Sequence, residues 1–439
     1  MEILIKTLQF LFAISILVIF HELGHFIAAR IFKTRVEKFY LFFNPWFSLF
    51  KVKRGDTEYG MGWLPLGGYV KISGMIDESM DKEQMKQPPQ PWEFRSKPAW
   101  QRLIMMLAGV FVNLLLAVVI YIGMLSVWGY DYLPTNEVRY GITVDSLGYE
   151  MGLRNGDKII SVDHVVVEDF LDIPKTIILE EATTIQVLRD EEPVEIRIPE
   201  GFIAKLIKHK SPDFIYVRIP FVVGAFTDNS KGKQAGFLVD DQIIGLNDSL
   251  MVFFDQFREE VQKHKNEMIR IMLLREGDTL VIPVEVPPGG LLGVYPKPPV
   301  HFLTFHEKKY TIITAVPAGI VRAYEGTGNY LKSIKLLFSQ EKAYESVGGF
   351  IAIGNFFPAI WDWQAFWSMT AFLSIMLAVL NLLPIPALDG GHVLFLLYEI
   401  IFRRKPSDKF LEYAQVAGMI LLFGILIWAN ANDIIKLFN

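Results

Sequence analysis

Two histidines and a glutamate stand close together near the start of this 439-residue sequence. His21, Glu22 and His25 form the pattern H-E-x-x-H within an apolar segment long enough to cross a membrane. Residues four apart share a face of a helix, so both imidazoles can bind one metal ion while Glu22 acts as acid or base. A hydrogen-bonded pair of structural histidines is the alternative. Ionisable side chains in a membrane core cost several kcal/mol unless they are paired or coordinated, which favours the functional interpretation.

A catalytic zinc ion needs a third protein ligand and an open position. Asp389 is the strongest candidate, because it lies between two prolines and two glycines in the apolar stretch from Phe366 to Phe402. Irregular backbone at membrane depth is tolerated only where it lines an interior site. His392, one helical turn beyond Asp389, is a rival for the position of third ligand. We favour the alternative that His392 supports the site through a hydrogen bond.

These two motifs carry a resemblance to a known family. His21 to His25, together with Asn381, Pro384, Pro386 and Leu388-Asp389-Gly390, closely resemble the site-2 protease family of intramembrane zinc metalloproteases. The resemblance covers nearly the whole chain. It implies that His21, His25 and Asp389 bind Zn²⁺ and that Glu22 is the catalytic acid/base residue.

Weaker family elements lie in the first half of the chain. The segment from Thr57 to Ser73 resembles a membrane-associated β-hairpin, with an ordinary cytoplasmic hairpin as the alternative. Ala108-Gly109 followed by Asn113 resembles a motif of the second span, although Val110 replaces the usual proline. From this resemblance the substrate-binding residues are expected to be Gly67, Gly68, Tyr69, Val70, Asn113, Asn381, Pro384 and Pro386.

Composition agrees with a membrane protein. Hydrophobic residues make up 51% of the chain and charged residues 21%, against a charged fraction of about 25% in soluble domains. A net charge of −5 gives no basic surface for a phosphate backbone, so no nucleic-acid partner is expected. The chain contains no cysteine, which excludes thiolate metal ligands, cysteine nucleophiles and disulfides.

The sequence predicts an α-helical membrane protein with four transmembrane helices, a β-hairpin and two PDZ-like domains. Lys and Arg cluster after the first span, before the second, and between the third and fourth. Because short cytoplasmic loops are rich in these residues, these clusters are predicted to lie in the cytoplasm, with both termini and the PDZ-like domains on the other side of the membrane. In a Gram-negative cell, that side of the inner membrane is the periplasm.

An internal repeat lies in the long polar region between the second and third spans. Gly152-Leu153, Gly156-Asp157 and Ile159-Ile160 recur 84 residues later as Gly236-Phe237, Asp240-Asp241 and Ile243-Ile244. The pattern is similar to that of PDZ domains, which bind extended peptides by strand addition. Gly-Asp turns in two unrelated sheets are the alternative. Asp240 stands where a glycine is usual, so the second groove is expected to differ in shape or to be unused.

These assignments divide the chain into eight segments. They are transmembrane helix 1 (1–32), a cytoplasmic loop (33–99) with the hairpin (57–73), helix 2 (100–128), PDZ-like domains (138–215 and 216–289), a connecting segment (290–363), broken helix 3 (364–402) and helix 4 (411–430). The connecting segment is expected to be either an amphipathic helix or lever, or a plain linker.

The predicted function is intramembrane proteolysis of single-span membrane proteins. By family analogy, the substrates are anti-sigma-factor type proteins already trimmed by another protease, and remnant signal peptides. The PDZ-like grooves would bind peptide or protein termini, and membrane lipid surrounds the spans. Two alternatives are a zinc transporter, which also places His and Asp in broken membrane helices, and a catalytically silent PDZ scaffold. A transporter has no use for Glu22 between two histidines or for peptide-binding modules. A silent scaffold does not require all four catalytic positions to be filled, as they are here.

Overall fold

The computed structural model describes residues 1–65, 67–75, 87–209, 214–340 and 347–438. Parts of the predicted cytoplasmic loop, first PDZ-like domain and connecting segment therefore lie outside the described residues. The chain forms two compact units. We call Met1–Gly129, Lys309–Lys335 and Val347–Asn439 the helical unit, and Tyr130–Lys308 with Leu336–Ser346 the β unit.

Helices dominate the helical unit, whereas those of the β unit are short. In chain order the α-helices are α1 (Glu2–Ile31), α2 (Ala99–Trp128), α3 (Ser146–Met151), α4 (Ile173–Leu179), α5 (Phe202–His209), α6 (Lys231–Ala235), α7 (Phe254–Lys263), α8 (Ile312–Ser339), α9 (Phe350–Asn355), α10 (Trp363–Leu382), α11 (Asp389–Phe402) and α12 (Asp408–Phe438).

Strands occur in both units. They are β1 (Val36–Leu41), β2 (Phe50–Arg54), β3 (Thr57–Met61), β4 (Tyr69–Ile72), β5 (Tyr130–Tyr132), β6 (Ile142–Val144), β7 (Lys158–Val162), β8 (Thr184–Arg189), β9 (Glu192–Arg197), β10 (Ile215–Val217), β11 (Val223–Phe226), β12 (Gln242–Leu246), β13 (Ser249–Leu250), β14 (Met268–Arg275), β15 (Asp278–Glu285), β16 (Val294–Pro296) and β17 (His306–Lys308).

Among the residues that the structure describes, four helices are long and apolar enough to cross a membrane. They are α1, α2, α10 and the part of α12 from Lys409 to Lys436, as predicted from the sequence. Ala13 and Leu17 of α1, Leu116 of α2 and Phe366 of α10 belong to one buried cluster. Such contacts between apolar faces hold the spans together.

The predicted hairpin of residues 57–73 is corrected by the structure. Its two strands, β3 and β4, do not pair with each other, because β1 lies between them in a sheet of order β2-β3-β1-β4. β1 runs parallel to β3 and antiparallel to β4. Gly60 accommodates the Tyr40 ring, since a Cβ at that position would lie 2.4 Å from it. The hairpin partner of β3 is instead β2, through the turn at Gly55.

The predicted break in the third apolar stretch separates α10 from α11. Prolines at 384 and 386 have no backbone N–H to continue a helix. The Ile385 N–H donates to the Leu383 carbonyl at 2.7 Å, a tight turn, and Ala387 has a left-handed φ of 77°. We call residues 383–388 the bend. Asp389 is the first residue of the helix that follows it.

The connecting segment is largely helical among its described residues. The helix α8 spans 28 residues and contains Pro317 near its start. A short helix, α9, precedes α10, and the backbone N–H groups of Gly349 and Ala352 donate to the Asp433 carboxylate of α12 at 2.9 and 2.8 Å. Of the two expectations from the sequence, the plain linker is therefore wrong.

The internal repeat of the β unit is also a structural repeat. The strands β7 and β12 occupy equivalent positions, and each follows a short helix ending in a left-handed glycine, Gly152 with φ 103° and Gly236 with φ 102°. Four residues later, Gly156 has φ 96° and Asp240 has φ 75°. Both copies therefore use the same left-handed turn, with or without glycine.

One ion pair recurs in each copy. Arg189 donates to both oxygens of Asp157 at 2.7 and 2.8 Å and to the Gly152 carbonyl at 2.8 Å. Arg275 makes the same three contacts with Asp241 and Gly236 at 2.7 to 2.9 Å. Both aspartate side chains are 1% exposed. Each ion pair ties the turn to the neighbouring strand.

The pKa of Asp241 reflects these contacts. Burial alone raises the pKa of this carboxyl. Hydrogen bonds from Arg275 and from the Leu238 backbone N–H outweigh the burial and hold the pKa below its usual value.

We predict that Arg189→Ala destabilises the first copy by about 3 kcal/mol, because it leaves the buried Asp157 carboxylate without its charged partner. Hydrogen exchange of β7, β8 and β9 in the full-length protein measures the effect. Arg270→Ala is the matched control, since its pair with Asp248 has side chains 60% and 92% exposed. Equal loss of protection in the two variants would contradict a structural role for the repeated pair.

Candidate metal centre

Three donor atoms from distant parts of the helical unit meet at one point. The Nε2 atoms of His21 and His25 lie 3.2 Å apart. Oδ2 of Asp389 lies 3.2 Å from the first and 3.3 Å from the second. In the described part of the chain, His21, His25 and Asp389 form the group of side chains whose donor atoms lie close enough together to hold a metal ion.

The spacing of this triangle fits a tetrahedral zinc site. Two ligand atoms held about 2.0–2.1 Å from zinc with tetrahedral angles lie about 3.3–3.4 Å from each other. Oδ2 of Asp389 is buried and accepts no hydrogen bond from the described residues. A buried carboxylate oxygen that faces two imidazole nitrogens needs a positively charged or hydrogen-bonding partner, and a bound cation supplies one. The donor set of two nitrogens and one oxygen is that of known catalytic zinc sites.

Two glycines allow the histidines to reach this position. A Cβ on Gly109 of α2 would lie 2.3 Å from Nε2 of His25 and 2.7 Å from Cε1 of His21. A Cβ on Gly24 of α1 would lie 2.4 Å from the Ala108 carbonyl oxygen. The helices α1 and α2 therefore cross with their backbones in contact, directly at the two imidazoles.

Hydrogen bonds orient both imidazole rings. Nδ1–H of His25 donates to the Met105 carbonyl at 2.8 Å, which directs Nε2 toward Asp389. Nδ1 of His21 lies 3.2 Å from the Asn113 amide. Because a ligating Nε2 carries no hydrogen, Nδ1–H must donate to the amide oxygen of Asn113. That pairing gives this buried oxygen a partner, which it lacks when the amide nitrogen faces His21.

Beside the donor atoms lies a cavity of about 350 Å³. Glu22 lines it, as does Val70 of β4. The strand β4 thus borders the cavity on the side of α1, where Gly68 packs against Val18. The full lining is His21, Glu22, His25, Phe43, Gly68, Tyr69, Val70, Ile72, Met75, Met106, Ala387, Leu388, Asp389, His392 and Gln415.

The predicted substrate-binding residues fall into three groups. Gly68, Tyr69 and Val70 line the cavity. Asn113 and Asn381 contact His21 instead, with the Asn381 amide 3.3 Å from Nε2. Gly67, Pro384 and Pro386 are not among the lining residues. The carbonyl oxygen of Pro386 packs against Gly418 of α12.

His392 lies one helical turn beyond Asp389 and also lines the cavity. It is not part of the group of three donor atoms within the described residues. This position agrees with a supporting residue and gives no evidence that His392 replaces Asp389 as the third ligand.

The sequence analysis did not predict the roles of two residues at the site. The sequence motif of the second span includes Gly109 but does not indicate that this residue faces both imidazoles. Gln415 of α12, which is 5% exposed, was not considered at all. A glutamine inside a predicted apolar span is the sequence signal that points to it.

Comparisons with known proteins agree on one family. The model of peptidase family M50 matches residues 9–425. A Campylobacter jejuni protein, named as a zinc metalloprotease, is 28% identical over 99% of this chain and 94% of its own length. The regulator of sigma E protease of Haemophilus influenzae is 27% identical over 98% of each chain. A Vibrio cholerae protein, also named as a zinc metalloprotease, is 27% identical over 99% of this chain and all of its own. The chain therefore belongs to peptidase family M50.

Proposed function

We propose that this protein is a zinc metalloprotease of the inner membrane that cleaves the transmembrane segments of single-span membrane proteins. Its class as a metalloprotease follows from the family. The observation that carries the proposal is the triangle of His21, His25 and Asp389 donor atoms, which joins the candidate membrane helix α1 to α11 and lies beside Glu22. Relatives named as zinc metalloproteases support zinc as the metal.

The chemistry requires a Lewis acid, a proton acceptor and a proton donor. Zinc held by His21, His25 and Asp389 supplies polarisation of the scissile carbonyl and a lowered pKa of water. Glu22 accepts a proton from the attacking water as the water oxygen bonds to the carbonyl carbon of the substrate. Glu22 then delivers that proton to the amine nitrogen as the C–N bond breaks. Glu22 lines the cavity together with His21, His25 and Asp389, as this role requires.

A transmembrane substrate must be unwound before cleavage, because the carbonyls of a helix are already hydrogen-bonded. The strand β4 supports a route for this step, since it is the last strand of its sheet and borders the cavity. An extended substrate segment would pair with its outer edge, which satisfies the freed backbone groups where no water competes.

We assign substrate selection to the two repeats of the β unit as PDZ-like modules that bind peptide or protein termini. Each has a strand and helix arrangement around a left-handed turn, the basis of the sequence resemblance. The substrates would be anti-sigma-factor type proteins trimmed by another protease, and remnant signal peptides. One relative is named as a regulator of sigma E protease, which supports this substrate class. The modules and both termini would lie in the periplasm.

The first test is removal of the metal. Purified protein incubated with a tagged single-span substrate should cleave it, and a chelator should abolish cleavage until zinc is added back. Transport of zinc into vesicles without cleavage would indicate a transporter. The absence of both activities would indicate that the protein is a catalytically silent scaffold.

Glu22→Gln should retain stoichiometric zinc and lose cleavage, because the change removes the proton acceptor and no ligand. Removal of a general base typically costs about 10²–10⁴-fold in rate. Metal analysis and substrate turnover are measured on the same preparation. Loss of zinc from this variant would contradict the role assigned to Glu22.

Asp389→Ala should lose both zinc affinity and cleavage, whereas His392→Ala should keep most of each. The two residues lie on the same face of α11, so the second variant is a matched control for disturbance of that helix. If the outcomes were exchanged, His392 would be the third ligand.

Removing the PDZ-like modules should broaden the substrate range. The strands β5 and β17 pair at the base of the β unit, so residues 133–305 can be replaced by a short glycine linker between paired strands. We expect cleavage of a trimmed substrate to persist and cleavage of the untrimmed form to rise. An inactive deletion protein with normal zinc content would show that the modules position the catalytic spans instead.

A further inference from the structure

The bend before Asp389 is held in a conformation that its residues do not favour. Ala387 has a φ of 77°, in the left-handed region that costs a residue with a Cβ about 1 kcal/mol or more. No glycine relieves this cost, so contacts from elsewhere must stabilise it. The position matters because Ala387 stands two residues before the carboxylate that faces His21 and His25.

One stabilising contact comes from the fourth span. The backbone N–H of Ala387 donates to Oε1 of Gln415 at 3.2 Å. Gln415 is 5% exposed and lies on α12, where only 11% of the residues in the most apolar window are buried. Burying the amide of a glutamine in an apolar span costs free energy unless that amide makes hydrogen bonds.

The backbone of α12 reaches the same bend one turn later. A Cβ on Gly418 would lie 1.8 Å from the Pro386 carbonyl oxygen, so this helix packs on the bend without an intervening side chain. On the opposite side, a Cβ on Gly391 would lie 2.6 Å from the Ile385 carbonyl oxygen. The bend is therefore enclosed between α11 and α12, and Gln415 adds a directional contact to this packing.

We infer that Gln415 is a positioning residue for the metal centre. Its hydrogen bond fixes Ala387 in the left-handed conformation and thereby sets the direction in which α11 starts with Asp389. This inference rests on the proposed role of Asp389 as a zinc ligand. It extends the catalytic assembly to the fourth span, which contributes no metal ligand of its own among the described residues.

The substitution Gln415→Met tests this role, because methionine has a similar size and no comparable acceptor. Zinc affinity, measured by competition with a chelator, should fall by about 10–100-fold, as for other residues that orient metal ligands. The absorption spectrum of the cobalt-substituted protein should change with it. Gln415→Glu keeps an acceptor in either protonation state and should bind zinc within about threefold of the wild type.

Gln9→Met is the matched control for loss of a membrane-buried glutamine. Gln9 of α1 is fully buried and donates to the Pro358 carbonyl at 2.8 Å. It is not part of the cavity lining. Its variant should leave zinc affinity and the cobalt spectrum unchanged.

A rescue experiment separates positioning from general loss of packing. Glycine adopts a left-handed φ without steric cost, so Ala387→Gly in the Gln415→Met background should restore part of the zinc affinity. Wild-type affinity in Gln415→Met, equal losses in Gln415→Glu and Gln415→Met, or no rescue by Ala387→Gly would each overturn the inference. A wild-type protein that binds no zinc would overturn the proposed function itself, and the inference with it.

Discussion

The close crossing of α1 and α2 is the constraint on which the site depends. Two imidazoles and a carboxylate must come within 3.2–3.3 Å inside an apolar bundle. Side chains between the two helices would separate them by several ångströms. Gly24 and Gly109 remove those side chains where the crossing occurs. Buried polar groups are then satisfied by short hydrogen bonds to neighbouring backbone, such as the one from His25 to Met105.

The residues of the candidate site were accessible to sequence reasoning because their signals are local. His21, Glu22 and His25 share a helix, and the prolines before Asp389 mark a break in an apolar run. The residues that orient them carry no such signal. Asn113 lies 92 positions from His21, and Gln415 lies 28 positions from Ala387, the residues that they contact. The shapes of whole helices decide which spans pack against each other, and a short sequence pattern does not predict this packing.

The same distinction applies to the fold. Four apolar spans and the 84-residue repeat are properties of continuous segments, and both were predictable. The sheet of the helical unit was not, because β1 precedes the segment that was interpreted as a hairpin and separates its two strands. Likewise, the arginines of the repeated ion pairs are 86 residues apart, two positions out of register with their aspartates. A comparison at constant offset does not align them.

The left-handed turns at Gly156 and Asp240 show two thermodynamic solutions to one backbone geometry. Glycine makes the folded turn inexpensive but gives the unfolded chain more conformations to lose. Aspartate strains the folded turn, restricts the unfolded chain, and here forms an ion pair with Lys297. The first copy therefore lowers the energy of the native backbone, whereas the second reduces the entropy of the denatured one. Heating and added salt should consequently act unequally on two halves that share a single topology.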